Sequence, residues 1–319
     1  MDASAPLKLG WIGLGSMGLG MAKNLQQYLK SSNAPALSFT NRTLSRGVAV
    51  EELGGVPLPR VAAVVETSDI IFISLSDDSA LKSIVNEILA SKNIAGKIIV
   101  DTTTVLPETT KAISSSITNA GALFVAVSGA SHKAESGQLL FLVAGPKKAT
   151  EAIVPYLKGV MGRGVLDLGE EAEKASLMKT SGNFVTAAMM ELLSEAHVFA
   201  EKSGLGSENL EKMLEEDYGA PVMAISKRLA TGAYCPPKGE RPRSDLKLAI
   251  KDVGHGITCA ENVGTRLKIA EVALAHLKEA KSYADDNGGR ALDSTSMYGT
   301  IRREAGLDFR SDLVKGRDA

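Results

Sequence analysis

Short apolar runs alternate with helix-like stretches through the first half of the chain, and then the alternation stops. The runs are Leu7–Ile12, Ala36–Thr40, Asp69–Leu75, Lys97–Val100, Ala122–Val127, Leu139–Ala144 and Gly164–Leu168. Each has strand length, and several are continuous enough to be covered on both faces. Helical patterns lie between them, from near Ser16 and over Leu44–Leu53, Ser79–Ala90, Pro107–Asn119 and Pro146–Leu157. Pro107 and Pro146 suit first helical turns. Strands alternating with helices predict a doubly wound, mostly parallel sheet.

Beyond Gly169 the strand signal is gone. Glu170–Ser203 is a long proline-free run rich in Ala, Glu, Leu, Met and Lys. Glu170, Glu171 and Glu173 suit a helix start, and Lys202 with Gly204 suits its end. Further helical patterns cover Glu208–Glu216, Ala220–Ala230, Leu246–Val263 and Leu267–Asp285. The organisation read from this is an α/β domain over residues 1–168 and an all-α C-terminal domain over residues 169–319, joined by a long interdomain helix. Tyr234–Ser244, with three prolines, reads as a loop. The charged tail after Phe309 is expected to be loose.

The first strand runs directly into Gly13, Gly15 and Gly18, spaced G-x-G-x-x-G. A strand before and a helix after make this the fingerprint of a Rossmann dinucleotide site. Gly13 serves the tight turn, Gly15 the approach of the diphosphate and Gly18 the packing of helix on strand. Leu14, Ser16 and Met17 complete the cradle, with first-turn N–H groups aimed at the diphosphate. The second strand ends at Asn41, Arg42 and Thr43, where an NAD-binding fold places a carboxylate for the ribose. No carboxylate occurs between Asn41 and Val50. Arg42 and Arg46 are therefore expected to pair with a 2′-phosphate, so the cofactor is expected to be NADP. Ligands in such sheets sit at the carboxyl ends of strands. The loop Ser74–Asp78, with Leu75 and Ser76, should share one crevice with the glycines and with loops Asp101–Pro107 and Ser128–Ser131.

Composition narrows the partners. Lys and Arg number 36 against 37 Asp and Glu, a formal net charge of −1. This gives no electrostatic case for nucleic acid or a membrane surface. No apolar run is long enough to span a bilayer. Two cysteines, Cys235 and Cys259, build neither a disulfide framework nor a cysteine metal site. The chain enters its first strand almost at once, so a cleavable leader is not expected. A cytoplasmic location is expected.

A nicotinamide enzyme needs a group that moves a proton while the cofactor moves a hydride. His197, His255 and His276 lie in helical patterns and read as core or surface residues; His132 lies in a loop near the crevice. Lys179 falls near the start of the long helix, with Asn183 on the same face one turn on. A partly desolvated lysine beside a cationic nicotinamide can exchange protons near neutrality. On spacing alone, a solvated helix lysine with a polar neighbour is an equal reading.

These motifs together resemble the β-hydroxyacid dehydrogenases, relatives of 6-phosphogluconate dehydrogenase that include 3-hydroxyisobutyrate dehydrogenase and the glyoxylate/succinic semialdehyde reductases. The resemblance covers nearly the whole chain. GWIGLGSMGLGMAKNL resembles the family's cofactor signature, and Asn41-Arg42-Thr43 the triplet of NADP-preferring members. Asp101-Thr102-Thr103-Thr104-Val105-Leu106-Pro107 resembles D-x-S-T-x-x-P, which implies that Thr104 lies near the nicotinamide. Val127-Ser128-Gly129-Ala130 resembles V-S-G-G, which implies a substrate carboxylate held by Ser128, Gly129 and Ala130. Lys179 and Asn183 match K-x-x-x-N, implying a catalytic lysine and a substrate-orienting asparagine. Lys251-Asp252 matches a K-D pair, implying that Lys251 comes near substrate and cofactor.

Three features depart from the family pattern. Ala130 stands for a glycine, Glu173 and Ala175 stand where glycines are usual, and STSMYGTIRREAGLDF runs past the familiar end. The expected activity is NADP-dependent interconversion of a small β- or γ-hydroxy acid and its aldehyde or keto acid. Two rivals are an imine reductase on the same scaffold, against which Lys179 argues, and a non-catalytic NADP-binding sensor. Apolar Met178, Phe184, Val185, Met189 and Leu192 around the long helix, with the family's habit, imply a homodimer or homotetramer.

Overall fold

A computed structural model describes residues 6–91, 94–129 and 134–319. Contacts divide the chain into two compact units, Met1–Lys179 and Thr180–Ala319. The first unit carries strands β1 (Leu9–Ile12), β2 (Ser38–Thr40), β3 (Val56–Pro57), β4 (Ile70–Ile73), β5 (Ile98–Asp101), β6 (Leu123–Ser128), β7 (Leu139–Ala144) and β8 (Gly162–Asp167). They form one sheet in the order β3-β2-β1-β4-β5-β6-β7-β8. All neighbours are parallel except β6 and β7, where Ser128 pairs with Leu142. The expected doubly wound, mostly parallel sheet is present.

Continuous apolar strands are what a sheet covered on both faces requires, and every residue of β1 and β4 is buried. Trp11, Phe39, Phe72 and Phe141 point into one core, covered by α1 (Ser16–Ser31) and α6 (Lys147–Leu157). Ile12, Ile71, Ile73 and Phe124 point into the other, under α3 (Val61–Thr67), α4 (Asp78–Ala90) and α5 (Pro107–Asn119). The strand order reverses direction between β1 and β4, the switch point at which such sheets bind ligands. Two local readings differ from the sequence expectation. Leu44–Leu53 is a 3-10 turn, Leu44–Gly47, followed by the single-turn helix α2 (Val48–Glu51). Strand β3 and helix α3 lie in a stretch whose pattern is too short to announce them.

Helix α7 (Glu173–Lys202) begins in the first unit, where Ala172 and Ala175 join the core under α5 and Ser176 bonds Thr110 at 2.6 Å. The second unit adds α8 (Ser207–Ala230), α9 (Leu246–Asn262), α10 (Lys268–Asp286), α11 (Met297–Glu304) and α12 (Asp312–Asp318), with no strand among the described residues. The two helices expected on either side of Gly219 are the two halves of α8, divided at that glycine (φ 69°, outside the helical region) just ahead of Pro221. The tail after Phe309 is a correction. Instead of hanging loose it forms α12, with Val314 buried and Asp318 ion-paired to Arg290. Tyr234 fastens its start, donating to the Phe309 carbonyl at 2.9 Å and accepting from the Ser311 N–H at 2.7 Å. No helix among the described residues is long and apolar enough to cross a membrane.

One buried carboxylate ties three segments of the second unit together. Asp293 is fully buried, is ion-paired to Arg228 on α8, and accepts the backbone N–H groups of Ser244 at 2.9 Å and Thr295 at 3.1 Å. Removing one member of such a set strands the rest. Asp293→Ala should therefore cost about 3–5 kcal/mol in urea unfolding followed by circular dichroism, and a loss under about 1 kcal/mol would contradict it.

Candidate active site

The glycine loop sits at the switch point, and its three glycines meet three different demands. Gly13 has φ +97°, and a Cβ there would lie 2.3 Å from the Ser74 carbonyl oxygen. Gly18 packs α1 against the loop so closely that its Cβ would lie 2.3 Å from the Gly13 carbonyl. Gly15 is the opposite case, with nothing within 4 Å of an added Cβ. The space above it is open, and it is the N-cap of α1, which no side chain caps. First-turn N–H groups of an uncapped helix are the donors a diphosphate takes. Gly15 and Ser16 are exposed there, Met17 is half-buried and Leu14 is buried in the core. The cradle therefore fits a dinucleotide diphosphate.

Asn41 has a role that sequence reasoning missed. Its Oδ1 accepts the Leu14 N–H at 2.9 Å and its Nδ2 donates to the Thr43 carbonyl at 2.8 Å. The side chain thus braces the glycine loop against the end of β2. Thr43, Arg42 and Arg46 are exposed beside it, at the position where the second ribose of a dinucleotide is read. Next to Gly13, Leu75 is half-buried and Ser76 exposed, and Ser76 Oγ donates to Asp77, the N-cap of α4.

Farther along the same sheet edge, α7 delivers Lys179 to the end of β6. Its Nζ donates to the Gly129 carbonyl at 2.9 Å. Asp101, Thr103, Thr104, Ser128, Ser176 and Lys179 line one small cavity. The expected nicotinamide-side, carboxylate-side and proton-transfer groups thus come together within the first unit. Ala130 and His132 lie outside the described residues. In the second unit Asn183, four residues on along α7, donates to Asp252 at 3.1 Å, and Lys251 pairs with the same carboxylate at 3.0 Å. His197 is bonded to Ser207 and Ser226 inside the helical core, and burial lowers its pKa, so it serves structure.

Sequence reading also passed over Asp101. Its carboxyl is 2% exposed, and its Oδ1 accepts the Thr103 N–H at 2.9 Å. Burial, with the charge of Asp78 adding to it, pushes its pKa up to about 7 against the pull of the Thr103 hydrogen bonds. The available signal was a lone carboxylate closing an apolar strand.

Fold and glycine loop define a dinucleotide-binding protein of the Rossmann class. Residues 8–169 match the family of the NAD binding domain of 6-phosphogluconate dehydrogenase. Residues 174–301 match that of the NAD-binding domain of NADP-dependent 3-hydroxyisobutyrate dehydrogenase. The chain belongs to the β-hydroxyacid dehydrogenase family, whose members are NAD(P)-dependent oxidoreductases. It is similar to the NADH-dependent oxidoreductase ucdB of Aspergillus ustus, 33% identical over 92% of this chain and 98% of that one. Glyoxylate/succinic semialdehyde reductase 1 of Arabidopsis thaliana is 31% identical over 86% of this chain and 93% of its own. The fold is shared with Mycobacterium tuberculosis 3-hydroxyisobutyrate dehydrogenase, solved with L-serine, at TM-score 0.78 and 18% identity over 93% of this chain and 99% of that one.

The two glycine geometries separate folding from binding. Gly13→Ala meets a carbonyl in a backbone conformation that alanine disfavours, and should cost about 2–4 kcal/mol of stability. Gly15→Ala should fold like wild type while losing about tenfold or more in NADPH affinity, because its methyl fills the diphosphate's space. Denaturation and fluorescence titration of both variants check this. Unimpaired NADPH binding by Gly15→Ala would contradict the cradle.

Proposed function

We propose that this protein interconverts a small β- or γ-hydroxy acid and its aldehyde or keto acid, using NADP, with Lys179 as the proton-transfer group. The observation that carries the reading is the placement of Lys179 Nζ on the Gly129 carbonyl, 2.9 Å away, in one cavity with Ser128 and Thr104. The bound nicotinamide supplies or accepts the hydride. Lys179 then protonates the forming alkoxide in reduction, or removes the hydroxyl proton in oxidation. Ser128 offers a hydroxyl donor, and the backbone at Gly129 is the expected second contact for an anionic oxygen. Alanine at position 130, where the family pattern has glycine, adds a methyl to the sequence of this loop, which favours acids of glyoxylate or semialdehyde size over sugar acids. For Asn183 and Lys251 the reading keeps the contacts that the family resemblance implies.

NADP rather than NAD is supported by Arg42 and Arg46, both exposed at the end of β2, and by the absence of a carboxylate from Asn41 to Val50. That ucdB is NADH-dependent makes cofactor choice a point on which relatives differ. A homodimer or homotetramer is supported by α7, where Val185, Leu192 and Phe199 stand exposed at seven-residue spacing. A helix face that apolar needs a covering surface, and a second copy supplies one. With its near-neutral charge, the chain fits a cytoplasmic enzyme.

Turnover and cofactor binding separate the roles. Lys179→Ala should lose about 10²–10⁴ in turnover while keeping NADPH affinity within about threefold. Wild type should bind NADPH more tightly than NADH in the same fluorescence titration. Unchanged turnover in Lys179→Ala moves proton transfer elsewhere, and equal or tighter NADH binding overturns the NADP assignment.

A further inference from the structure

Two strand-end loops of the first unit are fastened to each other by four hydrogen bonds. Thr102 sends both its N–H and its Oγ1–H to the Ile73 carbonyl, each at 2.8 Å. The Leu75 N–H donates to Thr103 Oγ1 at 3.1 Å. The Leu106 N–H donates to Asp78 Oδ1 at 3.1 Å. Beneath them the buried Asp101 carboxyl holds Thr103 by its backbone N–H at 2.9 Å. Among the described residues, Thr103 is the one hydrogen-bond partner of that carboxyl.

We propose that Asp101 is a positioning residue for the cofactor: acting through Thr103, it keeps loop 101–107 fastened to loop 74–78 and so sets cofactor affinity. It does this without touching the cofactor. The inference rests on the reading of Leu75, Ser76 and Thr104 as cofactor neighbours. A donor chain runs from Leu75 to Thr103 to Asp101, and Thr104 follows Thr103 directly, so a shift of Asp101 moves both loops at the point where they face the site.

The fastening takes up a proton. Thr103 from its own loop and Asp78 from the start of α4 act on Asp101 directly, and the polar groups that share its cavity are Thr103, Thr104, Ser128 from β6, and Ser176 and Lys179 from α7. The Lys179 ammonium donates to the Gly129 carbonyl. Ionising Asp101 places a second negative charge near Asp78 on a residue that is almost fully buried. The carboxyl is pushed up from the ordinary 3.8 to about 7, so the folded state holds its proton where the unfolded chain has lost it. Stability from this proton is complete below about pH 4 and is lost progressively up to about pH 7. Ionisation strengthens the Thr103 hydrogen bonds but costs more through burial and repulsion from Asp78, so on balance the loops are held best with the proton on.

The test uses the full chain as wild type, Asp101→Asn, Thr103→Val and Thr103→Ser. Asparagine keeps an acceptor for the Thr103 N–H and does not ionise. Each protein is titrated with NADPH by fluorescence between about pH 5.5 and 8.5, and its thermal melt is recorded across the same range. The ratio of wild-type to Asp101→Asn dissociation constants should rise about three- to tenfold through pH 7. The titration of the 2′-phosphate is common to both proteins and drops out of that ratio. Thr103→Val should bind several-fold more weakly and lose the pH step, and Thr103→Ser should restore both.

A ratio that stays flat across pH 7 overturns the proposal, as does Thr103→Val binding like wild type. Should Asp101→Asn not fold, the Thr103 pair decides alone. If wild type binds neither NADPH nor NADH, the cofactor reading has failed. The melts then decide, since a wild-type to Asp101→Asn difference that does not change with pH overturns the role of the proton.

Discussion

Backbone meets backbone at the switch point of the sheet, with no side chain between. The absent Cβ of Gly13 lets the end of β1 lie against the Ser74 carbonyl, and the absent Cβ of Gly18 lets α1 lie against Gly13. A methyl at either position would stand 2.3 Å from a carbonyl oxygen. From that contact the rest follows. The helix start is set at a fixed distance from the strand end, its first-turn N–H groups face open space at Gly15, and Asn41 locks Leu14 in place from the neighbouring strand. The crevice is preorganised by close packing before any ligand arrives.

The second constraint is electrostatic and lies farther along the same sheet edge. A lysine ammonium and a buried carboxyl line one small cavity, and each is held by a different neighbour. Lys179 donates to a neutral carbonyl. Asp101 rests on Thr103, which commits the carboxyl to loop geometry. Two ionisable groups whose surroundings differ in this way suit different tasks, and those proposed are proton transfer for Lys179 and loop positioning for Asp101.

Legibility followed sequence distance. The strands of the sheet could be read because burial on both faces leaves continuous apolar runs, and the glycine loop because its motif is local. Strand β3, only Val56 and Pro57, is too short to carry a pattern. The kink at Gly219 depends on one backbone torsion that residue type permits but does not dictate. What escaped altogether were pairings across the chain. Arg290 finds Asp318 and turns a charged tail into a helix, and Asn41 finds the Leu14 N–H. Lys179 and Asn183 could be picked out by spacing, but the Gly129 contact that gives Lys179 a site belongs to the fold.

The most direct test of the account is NADPH oxidation by the wild-type protein with succinic semialdehyde or glyoxylate, set beside an uncharged aldehyde of the same length. A site built to pair an anion leaves its donors unsatisfied by a neutral analogue, so the acids should win by about tenfold or more in kcat/KM. Neutral aldehydes or imines turning over faster than the acids would contradict the account and remove the carboxylate from the site.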